Sequence, residues 1–289
     1  MYSCLAAAGL FALLLAPPVD SRAAVPAPLA PAPASAQGPK APSTRELERI
    51  NWMELREWVP SRSKTVLLPL GTLEAHGVTA SGADILAPVA IARDIAPALE
   101  AFVAPVVPYG FTGSMDAYAG GLTVPEEPYR AYVRAVLVGL ARNGFRNVIM
   151  VNGHGGGQTA ILNALAQDVG RGERVRILVV NWWSYCSDVT QEVFGEDGGH
   201  AGDNETAFIQ AIDPSLVHPE RYEPEMALPN PAPNTWIAYP HPTTIGLYQP
   251  GQGYPKFDEA KAKAYFRKVC DKVRGLVADT IRRWDEGGV

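Results

Sequence analysis

Short runs of consecutive apolar residues alternate along this chain with segments whose apolar residues recur every three or four positions. The continuous runs are typical of strands buried on both faces of a sheet. They predict strands over Lys64–Leu70, Phe102–Val107, Asn147–Val151 and Val175–Trp183. The periodic segments predict helices over Leu86–Leu99, Tyr129–Asn143, Gln158–Val169 and Phe257–Trp284, and a short helix is expected after Asp203. This alternation indicates an α/β fold with a mostly parallel central sheet covered by helices on both faces.

Two segments lie outside this alternation. Leu5–Pro17 is an apolar run as long as the core of a signal peptide and too short to span a bilayer, although no Lys or Arg precedes it. An Ala/Pro-rich stretch follows, so we expect a signal peptide and leader over residues 1–36, a single domain over 37–289, and a secreted or periplasmic protein. A disordered tail on a cytosolic protein is the alternative. The proline-rich stretch Pro219–Pro242 predicts a long surface loop near the mouth of the site.

Composition and charge exclude several classes of protein. Apolar residues make up 47% of the chain and charged residues 19%, which suits a globular domain with a substantial core. The net charge of −5 provides no basic surface for nucleic acid. No stretch after the leader is long and apolar enough to predict a membrane span. Cys186 and Cys270 could form a disulfide or remain buried thiols, and the sequence leaves both possibilities open.

Three glycine-flanked clusters contain three of the five histidines of the chain. The first is Gly71-Thr-Leu-Glu-Ala-His-Gly77, the second is Asn152-Gly-His-Gly-Gly-Gly157, and the third is Gly199-His-Ala-Gly-Asp-Asn-Glu-Thr206. The first two follow predicted strands directly, which is where parallel α/β folds place their sites. Histidine and carboxylate together form a ligand set that suits Zn, Fe or Mn. The clusters therefore predict a metal-dependent hydrolase.

Each cluster also has a purely structural or a rival functional interpretation. Glu74 and His76 project to the same side of an extended segment, but the segment could be a simple turn. Asp84 and Asp203 could each cap a helix. The glycines around His154 could bind a phosphate, although neither a P-loop ending nor Gly-x-Gly-x-x-Gly spacing is present.

In their order and spacing the three clusters resemble the creatininase family of creatinine amidohydrolase-like enzymes, from about Val66 to the C-terminal helix. The third cluster is the most specific match. The resemblance implies a three-layer α/β/α sandwich, assembly as a homo-oligomer that is often a hexamer, and two divalent metal ions, with Zn favoured over Mn or Fe. It implies the metal ligands Glu74, His76, Asp84, His154 and Glu205, with Asp84 bridging both ions.

The expected activity is hydrolysis of the C–N bond of a small cyclic or formyl amide by a metal-activated water. His200 would be the catalytic residue that carries a proton to the leaving nitrogen. Tyr118, Trp182 and Trp183 are candidates for lining the substrate pocket, although tryptophan at a strand end is more often core packing.

Three departures from the family pattern support a second hypothesis, a non-catalytic metal or small-ligand binding protein of the same fold. Asp84 lies one residue closer to His76 than is usual, Val78-Thr79 replace the usual Pro-His, and Gly157 stands where the family usually has Asn. Creatininase has a Glu two residues after the histidine of the second cluster, where this chain has Gly156. This last difference argues against creatinine as the substrate.

Overall fold

Four parallel strands form the central sheet, in the order β2-β1-β3-β4. The computed structural model describes residues 41–196, 198–229, 235–243, 245–248 and 254–289. The strands are β1 (Thr65–Leu70), β2 (Phe102–Val103), β3 (Asn147–Asn152) and β4 (Arg176–Asn181). β1 and β3 pair along their whole lengths, from Thr65 opposite Asn147 to Leu70 opposite Asn152. Because the strands are parallel, their carboxyl ends meet at one edge of the sheet.

Eight helices accompany the sheet in the described part of the chain. They are α1 (Trp52–Trp58), α2 (Ala83–Ile95), α3 (Glu126–Arg142), α4 (Gly156–Glu173), α5 (Trp182–Tyr185), α6 (Ser187–Phe194), α7 (Asp203–Ile212) and α8 (Glu259–Glu286). Two further short strands, β5 (Leu228–Pro229) and β6 (Leu247–Tyr248), pair with each other apart from the main sheet.

Alternate strand residues enter two separate hydrophobic cores, one on each face of the sheet. Leu67, Ile149 and Val180 pack with α2, α7 and α8 in one core. Val66 and Met150 pack with α3 and α4 in the other. Each face is apolar and covered by helices, so the strands read as continuous hydrophobic runs. The predicted α/β/α sandwich is confirmed.

The start of α2 differs from the prediction. The sequence pattern placed Pro88 in the first turn of a helix over Leu86–Leu99, whereas α2 begins at Ala83 and contains Pro88 in its interior. Proline has no N–H, so Pro88 cannot donate to the carbonyl of Asp84, one turn earlier. The Asp84 carbonyl lies close to Gly71 and Gly153 at the ends of two strands, as described below.

Two predicted strands are shorter in the structure. β2 ends at Val103, because Pro105 and Pro108 interrupt the ladder, and an isolated bridge from Leu70 to Val107 continues it. β4 ends at Asn181, and Trp182 begins the short helix α5 instead of extending the strand. The sequence pattern did not predict α1, α5 or α6.

The N-terminal predictions lie outside the described residues, as does part of the predicted loop Pro219–Pro242, namely residues 230–234. The described parts of that loop contain the 3₁₀ turns Pro219–Arg221 and Pro224–Met226. Among the described residues, no helix combines the length and the apolar composition that crossing a bilayer requires.

Candidate metal centre

Two glycines at the carboxyl ends of β1 and β3 allow α2 to begin directly against the sheet. A Cβ atom on Gly153 would lie 1.9 Å from the carbonyl oxygen of Asp84, and one on Gly71 would lie 2.3 Å from the same oxygen. Both distances are well below van der Waals contact, so only glycine fits at either position. This close approach places the Asp84 side chain beside the loops that follow the two strands.

The strand-side triad consists of Glu74 and His154, from the loops that follow β1 and β3, and Asp84, from the first turn of α2. The Nδ1 atom of His154 lies 2.8 Å from Asp84 Oδ2 and 3.2 Å from Glu74 Oε1. One ligand atom from each residue lies within 4.8 Å of the others, close enough to share a metal ion.

The helix-side triad consists of His76, Asp84 and Glu205. His76 Nε2 lies 3.1 Å from Asp84 Oδ1 and 3.2 Å from Glu205 Oε2. Glu205 comes from the first turn of α7, where Oε2 also accepts a hydrogen bond of 2.8 Å from the backbone N–H of Ala201. This bond ties Glu205 to the segment immediately before α7.

Asp84 belongs to both triads, and its two carboxylate oxygens are divided between them. Oδ1 faces the imidazole of His76 and Oδ2 faces that of His154. Its side chain caps no helix, since Gly82 occupies the N-cap position of α2. The arrangement suits a carboxylate that bridges two cations.

The donor set of the two triads fits divalent metal ions. Both ring nitrogens of His76 and the Oε2 atom of Glu74 are buried without a hydrogen-bond partner. Native proteins rarely leave buried polar atoms unsatisfied. His76 Nε2 is within 3.2 Å of two carboxylates yet makes no hydrogen bond of acceptable geometry, as expected for a nitrogen whose lone pair serves a metal. Three carboxylates and two imidazoles are ligands that Zn²⁺, Mn²⁺ and Fe²⁺ all accept.

The carboxylates favour positive charge at both imidazoles. Burial lowers the pKa of His154, but the charge of Glu74 and the contact with Asp84 outweigh it and raise the pKa to about 10. Burial likewise opposes the charge on His76, and Asp84 and Glu205 together hold its pKa well above the usual value. Burial raises the pKa of Asp84, whereas the two imidazoles lower it further than burial raises it. The site is therefore electrostatically prepared for cations.

His200 lies at the edge of the centre, outside both triads. Its Nε2 donates a hydrogen bond of 2.7 Å to the backbone carbonyl of Ala75, and its Nδ1 lies 3.4 Å from Glu74 Oε1. The rings of His200 and His76 are 4.4 Å apart between centroids. Because the carbonyl can only accept, Nε2 carries a proton and Nδ1 is the nitrogen free to exchange one. Glu74, His76 and His200 form a third group close enough to hold an ion, so a ligand role for His200 is geometrically possible.

A buried amide network that the sequence analysis did not identify fixes the loop of His154. The side-chain amide of Asn152 donates a hydrogen bond of 2.6 Å to the His154 carbonyl and one of 2.7 Å to Asn181 Oδ1. Gln158 donates a hydrogen bond of 3.0 Å to Asn152 Oδ1 and accepts another of 3.0 Å from the backbone N–H of Phe111. The only sequence signal was the polar residue Asn152 at the end of an otherwise apolar strand.

The three predicted pocket residues occupy different environments. Trp182 is only 2% exposed and packs against Phe208 at 4.6 Å between ring centroids. Trp183 is half-buried beside the His154 loop, near Gly155. Tyr118 is half-buried, and its hydroxyl donates to the carbonyl of His241. Contact of these residues with substrate stays a prediction, and burial makes Trp182 the least accessible of the three.

Several curated proteins are similar to this chain in sequence. The creatinine amidohydrolase of Pseudomonas putida is 26% identical over 192 residues, which cover 60% of this chain and 73% of that protein. The 3-dehydro-scyllo-inosose hydrolase of Thermotoga maritima is 26% identical over 250 residues, 77% of this chain and 79% of that protein. The mycofactocin precursor peptide peptidase of Mycobacterium ulcerans is 27% identical over 186 residues, 59% of this chain and 67% of that protein. By their names, all three proteins are hydrolases, and their substrates differ.

The fold is also that of solved creatininase structures. A crystal structure of creatinine amidohydrolase superposes with a TM-score of 0.71 at 22% identity, covering 82% of this chain and 98% of the other. The family model for creatininase, described as creatinine amidohydrolase, matches residues 48–277. That match includes the sheet, both triads and most of α8, and it shows that this chain belongs to the creatininase family, a family of metal-dependent amidohydrolases.

Proposed function

We propose that this protein is a hydrolase that cleaves the C–N bond of a small cyclic or formyl amide at a centre of two divalent metal ions. The proposal depends on one observation, that the two carboxylate oxygens of Asp84 face different imidazoles, one that of His76 and the other that of His154. A carboxylate placed in this way would hold two cations close together, as two-metal hydrolytic sites require.

The strand-side and helix-side triads would each hold one cation. When bound, a pair of divalent ions supplies an activated water and polarises the carbonyl of the substrate. His200 is placed to transfer a proton through Nδ1, because its Nε2 is fixed to the Ala75 carbonyl. The hydrogen bond from Ala201 keeps Glu205 oriented toward His76.

The relatives and Gly156 bear on the choice of substrate, and the solved creatininases bear on the choice of metal. By their names, the curated relatives act on creatinine, a precursor peptide and 3-dehydro-scyllo-inosose, so family membership alone leaves the substrate class open. Gly156 leaves this chain without the second-cluster carboxylate of creatininase, which supports a substrate other than creatinine. Solved creatininases include a Zn-Zn form and a Mn form, and we propose Zn²⁺ for this chain with Mn²⁺ or Fe²⁺ as alternatives.

The test is reconstitution of metal-free protein with Zn²⁺ or Mn²⁺, followed by assays on lactams, formamides and short peptides. Turnover of a lactam or a formamide at two metals per chain supports the proposal, and Asp84→Asn is the inactive control. Turnover of peptides alone would place the chain with the peptidase relatives and contradict the small-amide substrate. Full metal occupancy with no turnover on any amide would favour the non-catalytic binding protein.

Two expectations about the cellular form are proposals of the same kind. We propose a homo-oligomer, with a hexamer expected from the family resemblance, and export guided by the N-terminal segment. Light scattering of the purified protein tests the first. Fractionation of cells that express the full chain, with N-terminal sequencing of the product, tests the second.

A further inference from the structure

A buried carboxylate joins the first turn of α7 to the segment just before α8. Asp203, the first residue of α7, is only 1% exposed. Its Oδ1 accepts a hydrogen bond of 2.8 Å from the backbone N–H of Lys256, and its Oδ2 lies 3.4 Å from the Lys256 ammonium. The same ammonium forms an ion pair with Glu196, in the loop that precedes the third cluster. Lys256 therefore joins three segments of the chain, and none of these three side chains has a role in the proposed mechanism.

The backbone around this contact is strained on both sides. Ala201, whose N–H donates to Glu205, has a left-handed φ of 53°, and Phe257, next to Lys256, has the same φ. This conformation is unfavourable for residues with a Cβ and persists only where surrounding contacts hold it. Gly202, at the N-cap position of α7, has no side chain that could support the first turn. Contacts outside the helix must therefore hold the start of α7 in place.

The charge of Asp203 makes its contact with Lys256 important for the position of α7. A buried carboxylate is stable only where hydrogen bonds and opposite charge replace its lost hydration. Lys256 provides both, and the N-terminal end of α7 adds a favourable dipole. Without the ammonium, the first turn of α7 would shift to bring Asp203 toward water. Glu205 lies in that same turn, so its distance of 3.2 Å from His76 would change with it.

A surface ion pair without functional effect is the alternative interpretation. The side chain of Lys256 is 42% exposed, and exposed pairs contribute little to stability. The burial of Asp203 distinguishes this contact from an ordinary surface pair on α8, that of Lys268 with Glu192, whose side chains are 47% and 61% exposed. Loss of one partner is costly only where the other charge is buried.

We propose that Lys256 and Asp203 are positioning residues for the helix-side triad. Their pairing holds the first turn of α7 and so keeps the Glu205 carboxylate at the distance from His76 that a shared cation requires. This inference rests on the proposed two-metal centre. It assigns to Lys256 a role in the affinity for the helix-side ion that acts through α7, without contact with substrate or metal.

The test measures the affinity for each Zn²⁺ ion by chelator competition in Lys256→Met, Lys256→Arg and the control Lys268→Met. Lys256→Met removes the charge and keeps most of the side-chain length. We expect it to bind one of the two ions about 10-fold more weakly and the other as wild type does. Lys256→Arg keeps the charge and should restore the affinity, and Lys268→Met should match wild type. In Glu205→Gln protein, which lacks the helix-side site, adding Lys256→Met should leave the affinity for the remaining ion unchanged.

Wild-type affinity for both ions in Lys256→Met overturns the proposal, as does an equal weakening of both ions or a loss that Lys268→Met reproduces. Failure of Lys256→Arg to restore the affinity also overturns it. If Lys256→Met does not fold, Asp203→Asn takes its place, because it removes the charge and keeps an oxygen for the backbone N–H of Lys256. The same weakening of one ion is then expected. Failure of wild-type protein to bind two ions would instead overturn the proposed function itself.

Discussion

The strand-side and helix-side triads share Asp84 but are built in different ways. Glu74 and His154 lie in the loops that follow β1 and β3, so the pairing of those two strands brings these two ligands together. The helix-side triad depends on Glu205, which comes from α7 in the layer of helices over one face of the sheet. Glu205 reaches His76 only because α7 packs correctly against α2. The strand-side triad therefore takes two of its three residues from the edge of the sheet, whereas the helix-side triad takes two of its three, Asp84 and Glu205, from helices.

Replacement of the shared residue should abolish both triads together and have the largest effect. Asp84→Asn removes the negative charge that faces both imidazoles, so we expect bound metal to fall from two ions per chain to nearly none and turnover to be lost. Metal analysis of folded protein checks this. Asp168→Asn is the matched control, because Asp168 is an exposed partner of Arg134 and should keep both ions. Two ions bound to Asp84→Asn would contradict the bridging role.

Replacing a ligand that belongs to one triad should separate the two sites. His154→Ala should empty the strand-side site, and Glu205→Gln should empty the helix-side site, so that each variant retains about one ion per chain. Wild-type protein should also lose its helix-side ion first during chelator titration, since that site depends on helix packing. Native mass spectrometry counts the ions. Glu192→Gln, at an exposed partner of Lys268, is the control. Loss of both ions from either variant would show that the triads are not separable.

Removal of His200 should affect chemistry and leave both triads filled. His200→Ala is expected to keep two ions and to lose kcat by on the order of 10²–10⁴, the usual contribution of a positioned proton donor. His218→Ala is the control, because His218 is an exposed histidine beside Glu220. If His200→Ala loses an ion as Glu205→Gln does, His200 is a ligand of the third group and its proposed role is wrong.

The smallest expected effect is on the pH dependence of stability. Stability should fall as the pH rises in metal-free protein and should rise with pH when metal is bound. In metal-free protein the pKa of His154 is raised from 6.5 to about 10, so its stabilisation is complete below pH 6.5 and is lost as the pH rises to 10. The pKa of Asp84 is lowered, so its contribution is lost only in acid. We expect the unfolding temperature to fall by a few degrees or more between pH 6.5 and 10, since about 1 kcal/mol corresponds to 2–4 °C.

Metal should reverse this trend, because ligands must release protons to bind a cation and binding therefore strengthens as the pH rises. Calorimetry with chelator and with Zn²⁺ measures both directions. His154→Ala is expected to flatten the metal-free profile. An identical profile with and without metal would contradict the competition between protons and cations at the imidazoles.

The strand-side triad was more predictable from sequence than the helix-side triad, for a physical reason. A continuous apolar run that ends in glycine identifies a strand end, so Glu74 and His154 could be placed on one sheet edge from local pattern alone. The position of Glu205 depends on long-range packing of α7, and only the family resemblance placed it with His76. Trp182 was assigned to the pocket because the pattern extended β4 by two residues, whereas the chain turns into α5 and buries the ring.

The close approach of the Asp84 carbonyl to Gly71 and Gly153 restricts which amino acids these two positions can accept. Neither residue belongs to a triad, yet adding one methyl group at either position would force the Asp84 carbonyl, and with it the first turn of α2, away from the sheet. A mutational scan should therefore show that these two glycines tolerate substitution as poorly as the metal ligands do. A single-base change from a glycine to an alanine codon would be enough to inactivate the protein while leaving every chemically active side chain in place.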